Sequence, residues 1–217
     1  NSVGSLLRAS ELDAEYISGA YAVHFPGMLL ELTEEMRGAC ERLVEIAREK
    51  GILVSFDPNI RRELSADAAA RARLLWAVRH ADVVAPTLSE GQMITGETSI
   101  GGVLRALHAM GPRVVALTRD KDGAVLSRGG EVAVAAGIDE EPVDPTGAGD
   151  TLAAALCVGL QEDMPLARLA AFCNCAGTLV IKKKGAIGMA LPERGQVDAM
   201  VASGVCRVEC MPLESLV

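Results

Sequence analysis

Helical stretches alternate with short apolar strands from Thr33 to Thr118, and this alternation restricts the chain to a parallel sheet covered on both faces. Thr33 can cap a helix, Glu34 and Glu35 suit its positive end, and Met36, Ala39, Cys40, Leu43, Val44 and Ala47 form one stripe up to Lys50. Gly51 stops it. Ile52 to Phe56 follows as a mostly apolar strand, and Asp57, Pro58 and Asn59 end it because they cannot easily continue a ladder. The pattern then predicts a helix over 65–79, a strand over 81–85, a short helix over 88–95, a helix over 101–110 and a strand over 113–118. Near Gly123 the rhythm changes. Ala124 to Ser127 and Glu131 to Ala135 read as a hairpin, with Gly129 and Gly130 supplying positive φ at its turn.

After Asp144 helices return, over 149–160, over 165–182 with Pro165 in the first turn, and over 192–202. Residues 1–205 are therefore expected to form one α/β domain with helices on both faces of the sheet, and 206–217 a tail or last strand. At 217 residues, half of them hydrophobic, the chain can bury one substantial core. Its formal charge of −8 opposes nucleic acid and anionic membrane surfaces, whose binding depends on Lys and Arg. No window approaches the roughly 18 to 20 apolar residues of a membrane span. The opening residues lack a basic segment followed by an apolar run, so a cytoplasmic location is expected. Of the six cysteines, Cys173 and Cys175 fall on a helix at an offset that points them apart, and Cys206 and Cys210 lack partners for a tetrahedral site; reduced thiols packed as small hydrophobes are expected.

Chemistry concentrates in Asp144-Pro145-Thr146-Gly147-Ala148-Gly149-Asp150-Thr151. Small residues at a turn into a helix let backbone N–H groups approach an anion at the positive end of the dipole. During phosphoryl transfer the charge lies on the transferring group and the leaving oxygens, so such a hole acts on the transition state, and an adjacent Asp can accept the proton of an attacking hydroxyl. The bland alternative is a turn that merely starts a helix, with Asp150 favouring the dipole.

The longer string closely resembles a signature of the ribokinase-like carbohydrate kinases. His24-Phe25-Pro26-Gly27 resembles a His-x-x-Gly strand end of that family, Phe56-Asp57-Pro58-Asn59-Ile60-Arg61 its Asp-x-Asn-x-Arg segment in keto-deoxygluconate and fructose kinases, and Lys183-Lys184-Gly185-Ala186 its closing loop. The resemblance implies a ribokinase-like Rossmann-type sheet. It implies an anion hole at Gly147, Ala148, Gly149 and Asp150, with Asp150 as base. Asp57, Asn59 and Arg61 would bind substrate, and Thr118, Gly123 and Asn174 would border the nucleotide. Glu90 would order Mg²⁺ through water, and Asp144 near Gly185 would match a monovalent-cation (K⁺) site of some relatives. The Arg61 guanidinium could hold a carboxylate at two points, which favours a sugar acid; a surface ion pair with Glu63 or Asp67 is the alternative. For Asn174 the alternative is a half-buried polar residue, and Lys182 to Lys184 read as solvent-facing.

This sequence departs from the family at Thr87, at Asp120 where a nucleotide-loop glycine is common, and at Leu152 and Ala155. The family also begins with roughly a further third of sequence, holding core strands, a lid sheet and a Gly-Gly sugar-binding segment. Without them a sheet edge would be open to pairing, and a homodimer is expected. A shortened gene, preceding residues, or a minimal dimerising variant would each account for this. The expected activity is ATP-dependent phosphorylation of a sugar or sugar acid such as 2-keto-3-deoxygluconate, with Mg²⁺ required; the alternative is a nucleotide-binding or assembly module of the same fold without catalysis. A nicotinamide enzyme is disfavoured, because no Gly-x-Gly-x-x-Gly follows an early strand.

Overall fold

The computed structural model describes residues 3–60 and 67–217. One seven-stranded sheet runs in sequence order, β1 (Ala22–Pro26), β2 (Leu53–Asp57), β3 (Val83–Val84), β4 (Val114–Thr118), β5 (Gly123–Arg128), β6 (Glu131–Ala136) and β7 (Val208–Pro212). Strands β1 to β4 are parallel, and β4 to β7 are antiparallel.

Helices α1 (Ala14–Ser18), α2 (Glu34–Lys50), α3 (Ala68–His80), α4 (Leu88–Thr95) and α5 (Ile100–Met110) precede or connect the parallel strands. Because the strands follow in order, successive right-handed crossovers put the connecting helices on one face. There Val23, Phe25, Val54, Phe56, Val84, Val115 and Leu117 meet Val44, Val78, Ile94 and Leu107. The opposite face presents Val83, Ala85, Val114, Ala116, Ala124, Leu126 and Ala133 to α6 (Ala148–Gln161), α7 (Leu166–Ile181) and α8 (Arg194–Ala202). Adjacent strand residues thus enter different cores, as period-two alternation requires.

The element boundaries follow capping chemistry. The Thr33 hydroxyl accepts from Met36 N at 3.1 Å, and Gly51 closes α2 at φ 69°. Thr87 and Glu90 form a capping box at α4, and Ser99 caps α5. Two expectations shift. Pro165 stands outside α7 as its N-cap, at ψ 145°, and α8 starts at Arg194, because the Glu193 and Gln196 side chains cap each other's backbone there. The regular part of β3 is shorter than 81–85, although Asp82 N and Ala85 N still bond Val54 O and Phe56 O.

Residues 208–212 complete the sheet beside β6, and the chain then turns back so that Leu213 O and Leu216 O accept from Arg105. Among the described residues β1 has a strand neighbour on one side only. Among the described residues no helix is long and apolar enough to cross a membrane.

Candidate active site

The C-terminal ends of β1, β2 and β4 and the N-terminus of α6 meet at one rim of the sheet. Gly147 caps α6 in the left-handed region at φ 85°, and a Cβ there would stand 2.6 Å from the Ala186 Cβ. Only glycine fits both constraints. Thr151 N bonds Gly147 O and Ala148 N bonds Pro145 O, whereas the N–H groups of Gly149 and Asp150 have no partner among the described residues. These two donors stand at the positive end of a 14-residue helix, beside the exposed Asp150 carboxylate.

Asp144 holds the turn from the other side. Its Oδ1 accepts from Thr146 N at 3.0 Å and its Oδ2 from Gly185 N at 2.9 Å. The Thr146 hydroxyl, with these two amides, holds its carboxyl down at about 2. Asp144 therefore ties the closing loop at Gly185 to the turn that leads into α6. An ionised carboxylate suits a cation, yet each oxygen already accepts an amide.

Asp57, at the end of β2, and Glu90, in the first turn of α4, face the same space. Burial, then the charges of Glu90 and Asp150, push the Asp57 carboxyl up to about 6, against the Asn59 amide that bonds it at 3.0 Å. Asn59 itself takes φ 40°, a left-handed turn that Asn tolerates. Glu90 Oε1 accepts from Ile60 N at 2.5 Å and its Oε2 from Thr87 N and Thr87 Oγ1 at 2.8 and 2.9 Å. One carboxylate therefore caps α4 and pins the loop after β2. Gly27 permits this packing, because a Cβ there would lie 2.1 Å from Pro58 O. Arg61 lies outside the described residues.

Thr118, Gly123 and Asn174, expected from the resemblance to border a nucleotide, have local structural roles. Thr118 ends β4, where its N–H bonds Pro86 O. Gly123 is at φ 88°, and a Cβ there would lie 2.2 Å from Ala135 O, so it permits a tight crossing of β5 and β6. Asp120 adopts φ 49°, which explains why glycine is common at that position. Asn174 is buried, and its amide donates to Ala136 O at 2.9 Å and Cys206 Sγ at 3.3 Å; it pins α7 to β6, the internal alternative for this residue.

Sequence reasoning missed a polar string under Asp150. His24 Nδ1 lies 3.0 Å from the buried Ser55 Oγ, and Ser55 also bonds the Cys157 thiol. His24 keeps an open side to solvent, yet the surrounding protein lowers its pKa, with Asp150 pulling the other way. Cys157 follows Asp150 by seven residues, two helical turns, which was the available signal. Thr151 Oγ1, one residue past Asp150, is buried without a partner among the described residues. An apolar cavity of about 210 Å³ lies behind Pro58, Asn59 and Ile60 and includes no part of α6, so it is not the site of the chemistry.

The fold is that of a ribokinase-like α/β protein, with two amides that lack partners among the described residues and an exposed carboxylate at the rim of its sheet. The profile of the pfkB family carbohydrate kinases matches residues 5–194, and the chain belongs to that family. It is 32% identical over 219 residues to Fructokinase-1 of Zea mays, covering 92% of this chain and 64% of the relative. Over 205 residues it is 27% identical to 2-dehydro-3-deoxygluconokinase of Bacillus subtilis, covering 94% and 63%. The chain thus spans just under two thirds of the length of these relatives. Among solved structures, a putative Ribokinase II from E. coli superposes with a TM-score of 0.84 at 23% identity, over 91% of this chain and 64% of that one. Fructokinase from Vibrio cholerae O395, in a fructose, ADP and calcium bound form, superposes with a TM-score of 0.77 at 26% identity, over 90% and 65%.

Proposed function

We propose that the chain carries the phosphoryl-transfer half of an ATP-dependent sugar kinase. The observation that carries this reading is the pair of N–H groups at Gly149 and Asp150, without partners among the described residues, in the same helical turn as an exposed carboxylate. In the proposed step, the acceptor hydroxyl oxygen attacks the γ-phosphorus in line, its proton passes to Asp150, and ADP leaves. The Gly149 and Asp150 amides stabilise negative charge on the transferring group, because they are fixed before the reaction begins.

The donor set fits magnesium in one way only. No group of three or more His, Cys, Asp and Glu among the described residues is arranged to hold a metal alone, so Mg²⁺ would arrive with ATP and keep its waters. Glu90 is the carboxylate that would order those waters, and the ion would neutralise the β- and γ-phosphate oxygens. Asp144 and the loop at Gly185 would border a K⁺ ion. Related structures bound to ATP and Mg²⁺ and to fructose, ADP and potassium support a nucleotide and a metal.

For the acceptor, a sugar or sugar acid of the 2-keto-3-deoxygluconate kind, the support is the Asp57 to Arg61 segment together with fructokinase and 2-dehydro-3-deoxygluconokinase relatives. Asp57 and Asn59 would contact its hydroxyls. The decisive comparison is Asp150→Asn. Turnover of a responsive sugar should fall by about 10²- to 10⁴-fold, the usual worth of a general base, while calorimetry finds ATP binding within a few fold of the unsubstituted protein. Unchanged turnover overturns the assignment of the base. ATP binding without phosphorylation of any sugar or sugar acid by the unsubstituted protein overturns the kinase in favour of a binding module.

A further inference from the structure

The turn that ends β2 carries Asp57 and Asn59, and two carboxylates hold its backbone. Asp57 Oδ1 accepts from Asn59 N at 3.0 Å, and Glu90 Oε1 accepts from Ile60 N at 2.5 Å. The second bond joins residues 30 apart in the chain, from α4 to the loop after β2. Among the described residues, packing supports this turn incompletely. The apolar cavity of about 210 Å³ lies behind Pro58, Asn59 and Ile60, with Leu30, Ala70, Leu74 and Met93 on its other walls. Atoms that face a void lack neighbours to press against them, so the hydrogen bonds fix where the turn stands.

Glu90 is itself held from the sheet. Thr118 N bonds Pro86 O at 3.0 Å, and Thr87 and Thr118 form a bridge at the end of β4. Thr87 N and Thr87 Oγ1 then donate to Glu90 Oε2 at 2.8 and 2.9 Å, which leaves Oε1 for Ile60 N. At the far end of α4, Arg71 of α3 donates to Met93 O and Ile94 O, each at 3.2 Å. α4 is thus clamped at both ends, and Glu90 Oε1 is the point at which it meets the turn. A bond to an ionised acceptor is shorter and stronger than a neutral one, so this contact leaves the turn little play.

We propose that Glu90 is a positioning residue for the sugar acceptor: through Ile60 it sets where Asp57 and Asn59 stand at the rim, and without it the turn settles toward the cavity. This rests on the kinase reading, in which Asp57 and Asn59 contact the acceptor hydroxyls. It is separate from the ordering of magnesium-bound water. That task uses the carboxylate charge, whereas positioning needs only an oxygen that accepts from Ile60 N. Glutamine divides the two, since it keeps a carbonyl oxygen and loses the charge. The Thr87 hydroxyl can turn to accept from the new side-chain amide, which leaves the carbonyl for Ile60 N. Alanine loses both functions, yet α4 keeps its N-cap, because the bond from the backbone N of residue 90 to Thr87 Oγ1, 3.2 Å long, does not involve the side chain of Glu90.

The test compares Glu90→Gln and Glu90→Ala with the unsubstituted chain. Amide exchange at Ile60 is followed by NMR, and steady-state kinetics use fructose or 2-keto-3-deoxygluconate, whichever is turned over. In Glu90→Ala, Ile60 should exchange about tenfold faster and the acceptor KM should rise about tenfold, the usual effect of losing one hydrogen bond to a charged group. In Glu90→Gln both values should stay within about threefold of the unsubstituted chain, while the Mg²⁺ concentration for half-maximal rate rises in both variants. Free exchange of Ile60 in the unsubstituted chain, an unchanged acceptor KM in Glu90→Ala, or a glutamine variant that matches alanine in both readouts each overturns the proposal. If neither acceptor is phosphorylated by the unsubstituted chain, the acceptor class named above falls and the positioning role with it; phosphorylation with an unchanged KM in Glu90→Ala defeats the positioning role alone. Should Glu90→Ala misfold, the exchange of Ile60 in the unsubstituted chain and the acceptor KM of Glu90→Gln decide.

Discussion

At Gly147 a left-handed backbone and the neighbouring Ala186 exclude any side chain, so Gly147→Ala must either unwind the first turn of α6 or displace the closing loop. A loss of about 1–3 kcal/mol is expected in urea titration, with weaker ATP binding in calorimetry, because the Gly149 and Asp150 amides would no longer converge. Asp57 gives a pH signature. Its carboxyl titrates near 6 in the folded chain against about 3.9 unfolded, so the folded state holds the proton more tightly. The stability linked to it is complete below roughly pH 4 and is lost as pH rises through 6, a span of up to about 3 kcal/mol. Asp57→Asn keeps an oxygen for the Asn59 amide and removes the charge. Its urea midpoint should exceed that of the unsubstituted chain at pH 7.5 and match it at pH 4, whereas turnover falls. At this scale the local geometry of Gly147, Asp144 and Asp150 was legible because it is set within one contiguous turn. The raised titration of Asp57 was not, because it arises from burial in the folded chain and then from Glu90 and Asp150 on other elements.

Individual elements were read from caps and periodicity wherever those signals are strong, as in α2 and the β5–β6 hairpin. They were misplaced where a proline or a short strand depends on its neighbours. Pro165 has the φ of a helix start, but its extended ψ puts it outside α7. The close approach of β1 and β2 beyond their ends was invisible too, although it gives the His-x-x-Gly segment a physical reason, since Pro58 O occupies the space of a Gly27 side chain. Gly27→Ala should therefore cost about 1–3 kcal/mol in chemical denaturation and lower turnover, because the loop that Glu90 pins would be pushed away from α4.

For the whole molecule, two apolar layers on one sheet make a single cooperative unit, and a ligand bound at its rim should stabilise all of it. ATP at 100 times its dissociation constant should add about 2.7 kcal/mol, or roughly 5–10 °C in a thermal scan. K⁺ should raise that shift relative to a large organic cation if Asp144 borders its site; equal curves in the two salts would remove that role. The strand order and the open side of β1 are also properties at this scale, since they follow from which strands pair rather than from any one segment.

Taken by itself, the amino-acid sequence determined the order of helices and strands, the two-sided burial of the sheet, and the glycine turn with a carboxylate in the helical turn that follows it. Each is written in local periodicity, in capping residues and in a contiguous motif. The tertiary structure alone decided that His24 meets Ser55 from 31 residues away, that Asn174 meets Cys206 from 32, and that Asp57 shares a space with Glu90 and Asp150. Those meetings depend on strand register and on how helices cross the sheet, and such geometry exists only once the chain has closed on itself.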